Sequence, residues 1–111
     1  MIKINKKKIY ISHAYGNNDY NLYKADRIVL NLMKRYSDCL FFHPLRACGW
    51  CYNDIPYDDG LNYCLDFLSM ADEMWVCPGW EDSTGCKGEI KYCNTHGIPI
   101  KYLNESYEIK E

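Results

Sequence analysis

The residues of this chain best suited to chemistry lie in the stretch Cys77-Pro78-Gly79-Trp80-Glu81-Asp82-Ser83-Thr84-Gly85-Cys86-Lys87-Gly88-Glu89-Ile90. Gly79, Ser83, Gly85 and Gly88 stand where a turn gives way to a helix. Unpaired backbone N–H groups and a hydroxyl there could receive a phosphate or carboxylate. Glu89 follows within the first turns of that helix, either as a carboxylate aimed at a ligand or as a solvated residue or capping-box partner. Ser83 or Thr84 also serves as an ordinary N-cap. Local pattern alone favours these plainer readings.

Other candidates are weaker. Cys48-Gly49-Trp50-Cys51 has the spacing of a redox pair or half a zinc site, but no second CxxC or HxxxH stands at zinc spacing. Small loop residues that tolerate Cys are the alternative, and no metal site is expected. His13 and His43 both end apolar runs and could approach one another. Trp50 and Trp80 could stack on a nucleobase or fold back onto apolar surface.

The elements that must carry these residues alternate. Lys8-Ile9-Tyr10-Ile11-Ser12 reads as a strand that breaks at the turn-rich His13 to Asn18. Asn18 or Asp19 can cap an amphipathic helix with Leu22, Ala25, Val29, Leu32 and Tyr36 on one face, ending near Ser37-Asp38. Leu40-Phe41-Phe42 reads as a buried strand stopped at His43-Pro44, with a long loop from Leu45 to Pro56. Tyr57-Asp58-Asp59 opens a second helix bearing Leu61, Cys64, Leu65, Leu68 and Ala71. Met74 to Cys77 is a third strand. A helix from about Thr84 to Thr95, stopped at His96-Gly97, precedes a fourth strand, Ile98 to Leu103, and a polar tail. This βαβαβαβ order calls for a parallel sheet of about four strands with helices on both faces. Ligands of such sheets bind beyond the carboxyl ends of the strands, where the winding reverses. The loops Ser12 to Asn18, His43 to Tyr57 and Pro78 to Gly88 would meet there.

A chain of 111 residues, 48% hydrophobic, accommodates one domain, taken as 1–111 with its core at about 8–103 and a tail at 104–111. Formal net charge is −2, with both signs interspersed, so nothing suggests a nucleic-acid binder or a membrane-surface protein. No apolar run approaches the roughly 18 residues of a membrane span. The lead Met1 to Lys8 lacks the apolar region of a signal peptide, so a cytoplasmic protein is expected. Seven cysteines, an odd number, fit reduced thiols in a reducing compartment. Eleven tyrosines bias the chain toward binding surfaces that are half apolar and half hydrogen-bonding.

Three stretches together, KIYISHAYG, ADEMWVCPGWEDSTGCKGEI and HGIPIKYL, resemble the nucleoside 2-deoxyribosyltransferase-like superfamily. The likeness is closer to its small bacterial and phage members with a PGWxxSxGxxxE pattern, and covers about residues 8 to 103. It implies a Rossmann-like or flavodoxin-like three-layer sandwich that binds a nucleoside or nucleotide, needs no cofactor, and often forms homo-oligomers. It implies Glu89 as the nucleophile at the anomeric carbon, with Tyr10 beside it, and Ser83 as the receiver of a 5′-phosphate. Ser12, His13, Gly79, Trp80, Gly85 and Gly88 would complete the ligand site. One departure stands out: where the superfamily's enzymes carry an Asp that protonates the leaving base, this chain has Cys64. Asp58, Asp59 and Asp66 are the candidate substitutes, but Asp66 is about 200° around the helix from Cys64. The expectation is cleavage or deoxyribosyl transfer at an N-glycosidic bond. The alternatives are a non-catalytic module that captures a nucleotide, as in a phage–host setting, and a flavin or redox protein.

Overall fold

The structure is a computed structural model that describes residues 6–110; the first residues of the basic lead lie outside that range. The strands are β1 (Lys7–Ser12), β2 (Cys39–Phe42), β3 (Glu73–Val76) and β4 (Ile100–Tyr102). The α-helices are α1 (Asp19–Arg35), α2 (Pro44–Ala47), α3 (Tyr57–Leu68) and α4 (Thr84–His96). All strand pairs are parallel, in the order β2-β1-β3-β4. This is the α/β architecture that the alternating pattern requires.

Helix boundaries follow local chemistry. Asn18 caps α1 by accepting from the Asn21 N–H at 3.0 Å. Gly97, at φ 72°, ends α4 in the left-handed conformation that favours glycine. Helix α1 stops at Arg35, shortly before the Ser37-Asp38 expected, because Tyr36 leaves helical geometry as its C-cap.

Side chains alternate across a strand, so β1 serves two cores. Ile9 and Ile11 join Trp75 and Cys77 under Ile28, Val29 and Leu32 of α1. Tyr10 joins Met74 and Val76 on the other face, with Leu68 of α3 and Cys93 of α4. The same alternation puts Ser12 on the Tyr10 side.

Two segments differ from the sequence reading. The stretch 45–56, expected as loop, holds α2 and a 3₁₀ turn at Gly49–Cys51. Pro44 ends the strand, but its fixed φ also suits the first position of a helix. Residues 104–110, expected as a polar tail, fold back. Asn104 Oδ1 accepts from the N–H groups of Ser106 (2.8 Å) and Glu108 (3.0 Å), and Leu103 pairs with Ile109 in an antiparallel bridge. Tyr107 and Ile109 then pack on the α1 side of the sheet, and Arg35 Nη1 donates to the Tyr107 carbonyl at 3.2 Å. No helix among the described residues is long and apolar enough to cross a membrane.

If the returning segment completes that core, Ile109→Ser should lower unfolding free energy by about 1 kcal/mol, the scale of a half-buried aliphatic side chain. Urea melts of the two proteins measure it. Superimposable curves would assign residues 104–110 no part in the core.

Candidate functional site

β1 and β3 are the central strands, and the chain leaves them toward opposite edges of the sheet. That is the topological switch point, where parallel sheets leave a crevice beyond the strand ends. A cavity of about 580 Å³ opens there, within the usual range for small-molecule sites. Its walls come from the loop after β1, the segment from Pro44 to Cys64, and the start of α4 from Ser83.

Glu89 lies in the cavity wall, only 7% exposed. The Tyr10 hydroxyl donates to one of its carboxylate oxygens and the Ser12 hydroxyl to the other at 2.7 Å. Burial raises the Glu89 pKa from 4.5 to about 7, and these two hydrogen bonds oppose the rise without cancelling it. No Lys or Arg is among the described residues lining the cavity.

Glu73 makes the contrast. It is as buried as Glu89, at 7%, but sits at the opposite end of β3. Lys7 pairs with it, Lys101 Nζ lies 3.5 Å away, and Trp75 Nε1 donates to it at 2.9 Å. Burial would raise its pKa, yet these partners hold it below the ordinary value. Glu73 is a neutralised structural carboxylate, whereas Glu89 has hydroxyls where Glu73 has cations.

His13 and Ser83 also line the cavity. His13 Nδ1 donates to the Ala14 carbonyl at 2.7 Å, and burial lowers its pKa. Ser83 is the N-cap of α4, its Oγ accepting from the Cys86 N–H at 3.1 Å. Gly85 is in the wall, where a Cβ would stand 3.2 Å from the Tyr57 hydroxyl. Gly79, Trp80 and Gly88 are not among the lining residues. Gly79 takes φ 92° in the preceding turn. Trp80 packs on Tyr102, ring centroids 5.5 Å apart. Gly88 lets α4 approach α3, since a Cβ would lie 3.2 Å from Leu61 Cδ2.

His43 does not join His13 in the wall. Its Nε2 is 2.8 Å from Asp26 Oδ1, and Arg46 also grips Asp26 through Nε at 3.0 Å and Nη2 at 2.5 Å. The Arg46 and His43 hydrogen bonds, Arg46 foremost, bring Asp26 down to about 2. This cluster fastens α2 to α1. Among the described residues no group of three His, Cys, Asp or Glu side chains is arranged to hold a metal ion.

The sequence reading did not single out Tyr15, Tyr52 and Tyr57, which line the cavity. Tyr15 and Tyr52 meet edge to face at 5.4 Å, and Tyr52 and Tyr57 at 6.3 Å. Gly49 sits under Tyr15, where a Cβ would come within 3.1 Å of its ring. The excess of tyrosine was the available signal, but it named no positions.

Residues 43–102 match the profile of DUF4406, a domain of unknown function. The chain belongs to that family. Comparison with curated proteins and with solved structures returned no match. The DUF4406 match takes in α2, α3, β3 and α4, hence the Pro44 to Cys64 wall and Glu89. Tyr10 and Ser12 on β1 precede it.

A carboxyl group with a raised pKa costs stability as pH rises. Between about 4.5 and about 7 the unfolded Glu89 ionises while the folded one keeps its proton, so folding weakens, and the loss levels off above about 7. The full effect is on the order of 3 kcal/mol at one site. Glu89→Gln should therefore be more stable than the parent at pH 8 and close to it near pH 4.5. Denaturant melts across that range would reject an unpaired buried carboxylate if the two proteins kept a constant difference.

Proposed function

We propose that the cavity binds a nucleoside and that Glu89 is the nucleophile in cleavage or transfer at its N-glycosidic bond. The observation that carries the reading is the uncompensated carboxylate at the cavity wall, held by Tyr10 and Ser12. The resemblance to the nucleoside 2-deoxyribosyltransferase-like superfamily supports it with the same Glu and Tyr. An all-tyrosine aromatic wall offers a planar base apolar faces with hydrogen-bonding tips. The absence of Lys and Arg from the described lining favours a neutral nucleoside over a nucleoside di- or triphosphate. Free N–H groups at the start of α4 remain available to a sugar hydroxyl.

In this reading the ionised Glu89 attacks the anomeric carbon. The bond from that carbon to the base nitrogen breaks, its electron pair leaves with the base, and a glycosyl ester to Glu89 forms. Water or an acceptor base then attacks the same carbon and frees the carboxylate. Two hydroxyl donors orient the carboxylate oxygens for attack without neutralising the charge as a Lys would.

Cys64 favours a second reading, capture without turnover. It stands where the superfamily's enzymes place the acid for the leaving base, and its pKa lies far above the ordinary thiol value through its contact with Cys48 and burial. Such a thiol gives up its proton poorly.

Purified protein incubated with deoxynucleosides and their 5′-phosphates, with and without an acceptor base, separates the readings. Base release or exchange is expected with deoxynucleosides, and Glu89→Ala should lower it by a factor on the order of 1,000 or more. kcat/KM should rise tenfold per pH unit below about 7 and level off above it, following ionisation of Glu89. Thermal stabilisation by a nucleoside with no turnover would select capture. The absence of both turnover and stabilisation would overturn the nucleoside reading.

A further inference from the structure

His13 is a buried polar residue, only 9% exposed, that the reaction above does not use. The chain reaches it directly after Ser12, the last residue of β1, and its side chain lines the cavity. Nδ1 lies 2.7 Å from the Ala14 carbonyl oxygen. A carbonyl oxygen has only lone pairs to offer, so the proton of that hydrogen bond belongs to Nδ1. The neutral ring then carries a bare lone pair at Nε2, an acceptor with nothing to donate. Burial foremost, joined by Lys24 and His43 and opposed by the Ala14 bond, lowers the His13 pKa and keeps the ring neutral near pH 7.

Among the described residues the Ala14 bond is the one hydrogen bond of this ring, and Nε2 has no partner. Among those residues, too, no side-chain nitrogen or oxygen sealed inside the protein lacks a partner. Nε2 is therefore not sealed, and the space that His13 lines is the cavity. The backbone fixes the tautomer from behind, and an acceptor-only nitrogen is left at the edge of the ligand space.

This acceptor suits the sugar of a nucleoside better than its base. The tyrosine wall already offers a base hydroxyl tips that both donate and accept. A sugar hydroxyl can accept from the N–H groups at the start of α4, but those groups cannot take its own proton. Ser12, which holds the Glu89 carboxylate at 2.7 Å, precedes His13 by a single residue, about 3.8 Å between Cα atoms. His13 thus stands beside the carboxylate that would face the anomeric carbon.

We propose that His13 is a specificity-determining residue of the cavity, its Nε2 accepting a hydrogen bond from a sugar hydroxyl of the bound nucleoside. The assignment rests on the nucleoside reading of the site and adds to it a selection on the sugar. A nucleoside that lacks the matching hydroxyl leaves a buried acceptor unpaired, the arrangement by which polar sites reject deoxy analogues.

Nitrogen NMR of the full-length chain with labelled histidine tests this, the His13 signals being those lost in His13→Phe. In the free protein Nδ1 should carry a proton and Nε2 none. Adenosine or uridine should move the Nε2 resonance toward that of a hydrogen-bonded nitrogen. One of the 2′-, 3′- and 5′-deoxy analogues of the same nucleoside should fail to move it and bind on the order of tenfold more weakly. His13→Phe should bind that analogue and the parent nucleoside alike. A proton on Nε2 in the free protein at neutral pH would overturn the proposal whether or not a nucleoside binds. Equal binding of the nucleoside and all three analogues, or a preference that survives in His13→Phe, would overturn the hydroxyl contact and leave the nucleoside reading standing. An Nε2 shift that persists with every analogue and changes only with the base would assign the acceptor to the base instead. The expected tautomer with no response to either nucleoside would overturn the nucleoside reading and the contact together.

Discussion

The site depends on one electrostatic constraint: a carboxylate kept inside the protein with hydroxyl partners and no cation. Burying an ion is costly, and proteins usually answer with an opposite charge or with protonation. Here the Tyr10 and Ser12 hydroxyls satisfy the hydrogen-bonding demand of Glu89 and leave its charge uncompensated. Its pKa near 7 is the direct result. Both donors come from alternate positions of one strand, so the period of β1 sets the spacing of the two hydroxyls. The helix that brings Glu89 to them can approach because position 88 is glycine, with Leu61 of α3 packed where a Cβ would extend.

The sheet handles its two ends differently. Beneath β3, Glu73 is neutralised by Lys7 and Lys101 and anchored by the Trp75 indole. At the carboxyl ends of β1 and β3, no Lys or Arg among the described residues lines the cavity around Glu89. The same residue type at equal burial therefore does opposite work, fastening strand ends in one case and storing an unfavourable charge in the other. Perturbed groups in clefts are candidate functional groups for this reason: a fold gains nothing in stability by keeping them.

The fold was legible because it rests on periodicity. Alternating strands, amphipathic helices, the Asn18 cap and the Gly97 stop are local signals, and the element order fixes parallel connections. Ser83 illustrates a residue for which two readings coincide in space, since the N-cap hydroxyl also faces the cavity. The loop from His43 to Tyr57 was expected at the crevice, but its internal structure was not legible. Its turns are too short to show a period, and Tyr15, Tyr52 and Tyr57 come together only through tertiary packing. Trp80 was open to two readings, an indole stacked on a base or one folded back on apolar surface, and its ring packs against Tyr102. The returning segment 104–110 was hidden by its polar composition, which Asn104 uses to close the turn that delivers Ile109.

In the proposed reaction, Cys64 restricts what the carboxylate could accomplish. With its proton held against Cys48, the thiol neither donates to a departing base nor carries the charge that an Asp would. The other titratable groups in the wall do not replace it directly. His13 spends Nδ1 on the Ala14 carbonyl and is biased toward neutrality by burial, while Asp82 is solvent-exposed. A base leaving this cavity would have to carry the electron pair of the broken bond largely unaided. Under the proposed reaction, turnover would then be confined to bases whose anions are stable enough to leave, and other nucleosides would be held without reaction. In the proposed function, catalysis and capture are thus not alternatives of fold or of site: the same Glu89, Tyr10 and Ser12 would serve both, and the leaving ability of the base would divide one outcome from the other.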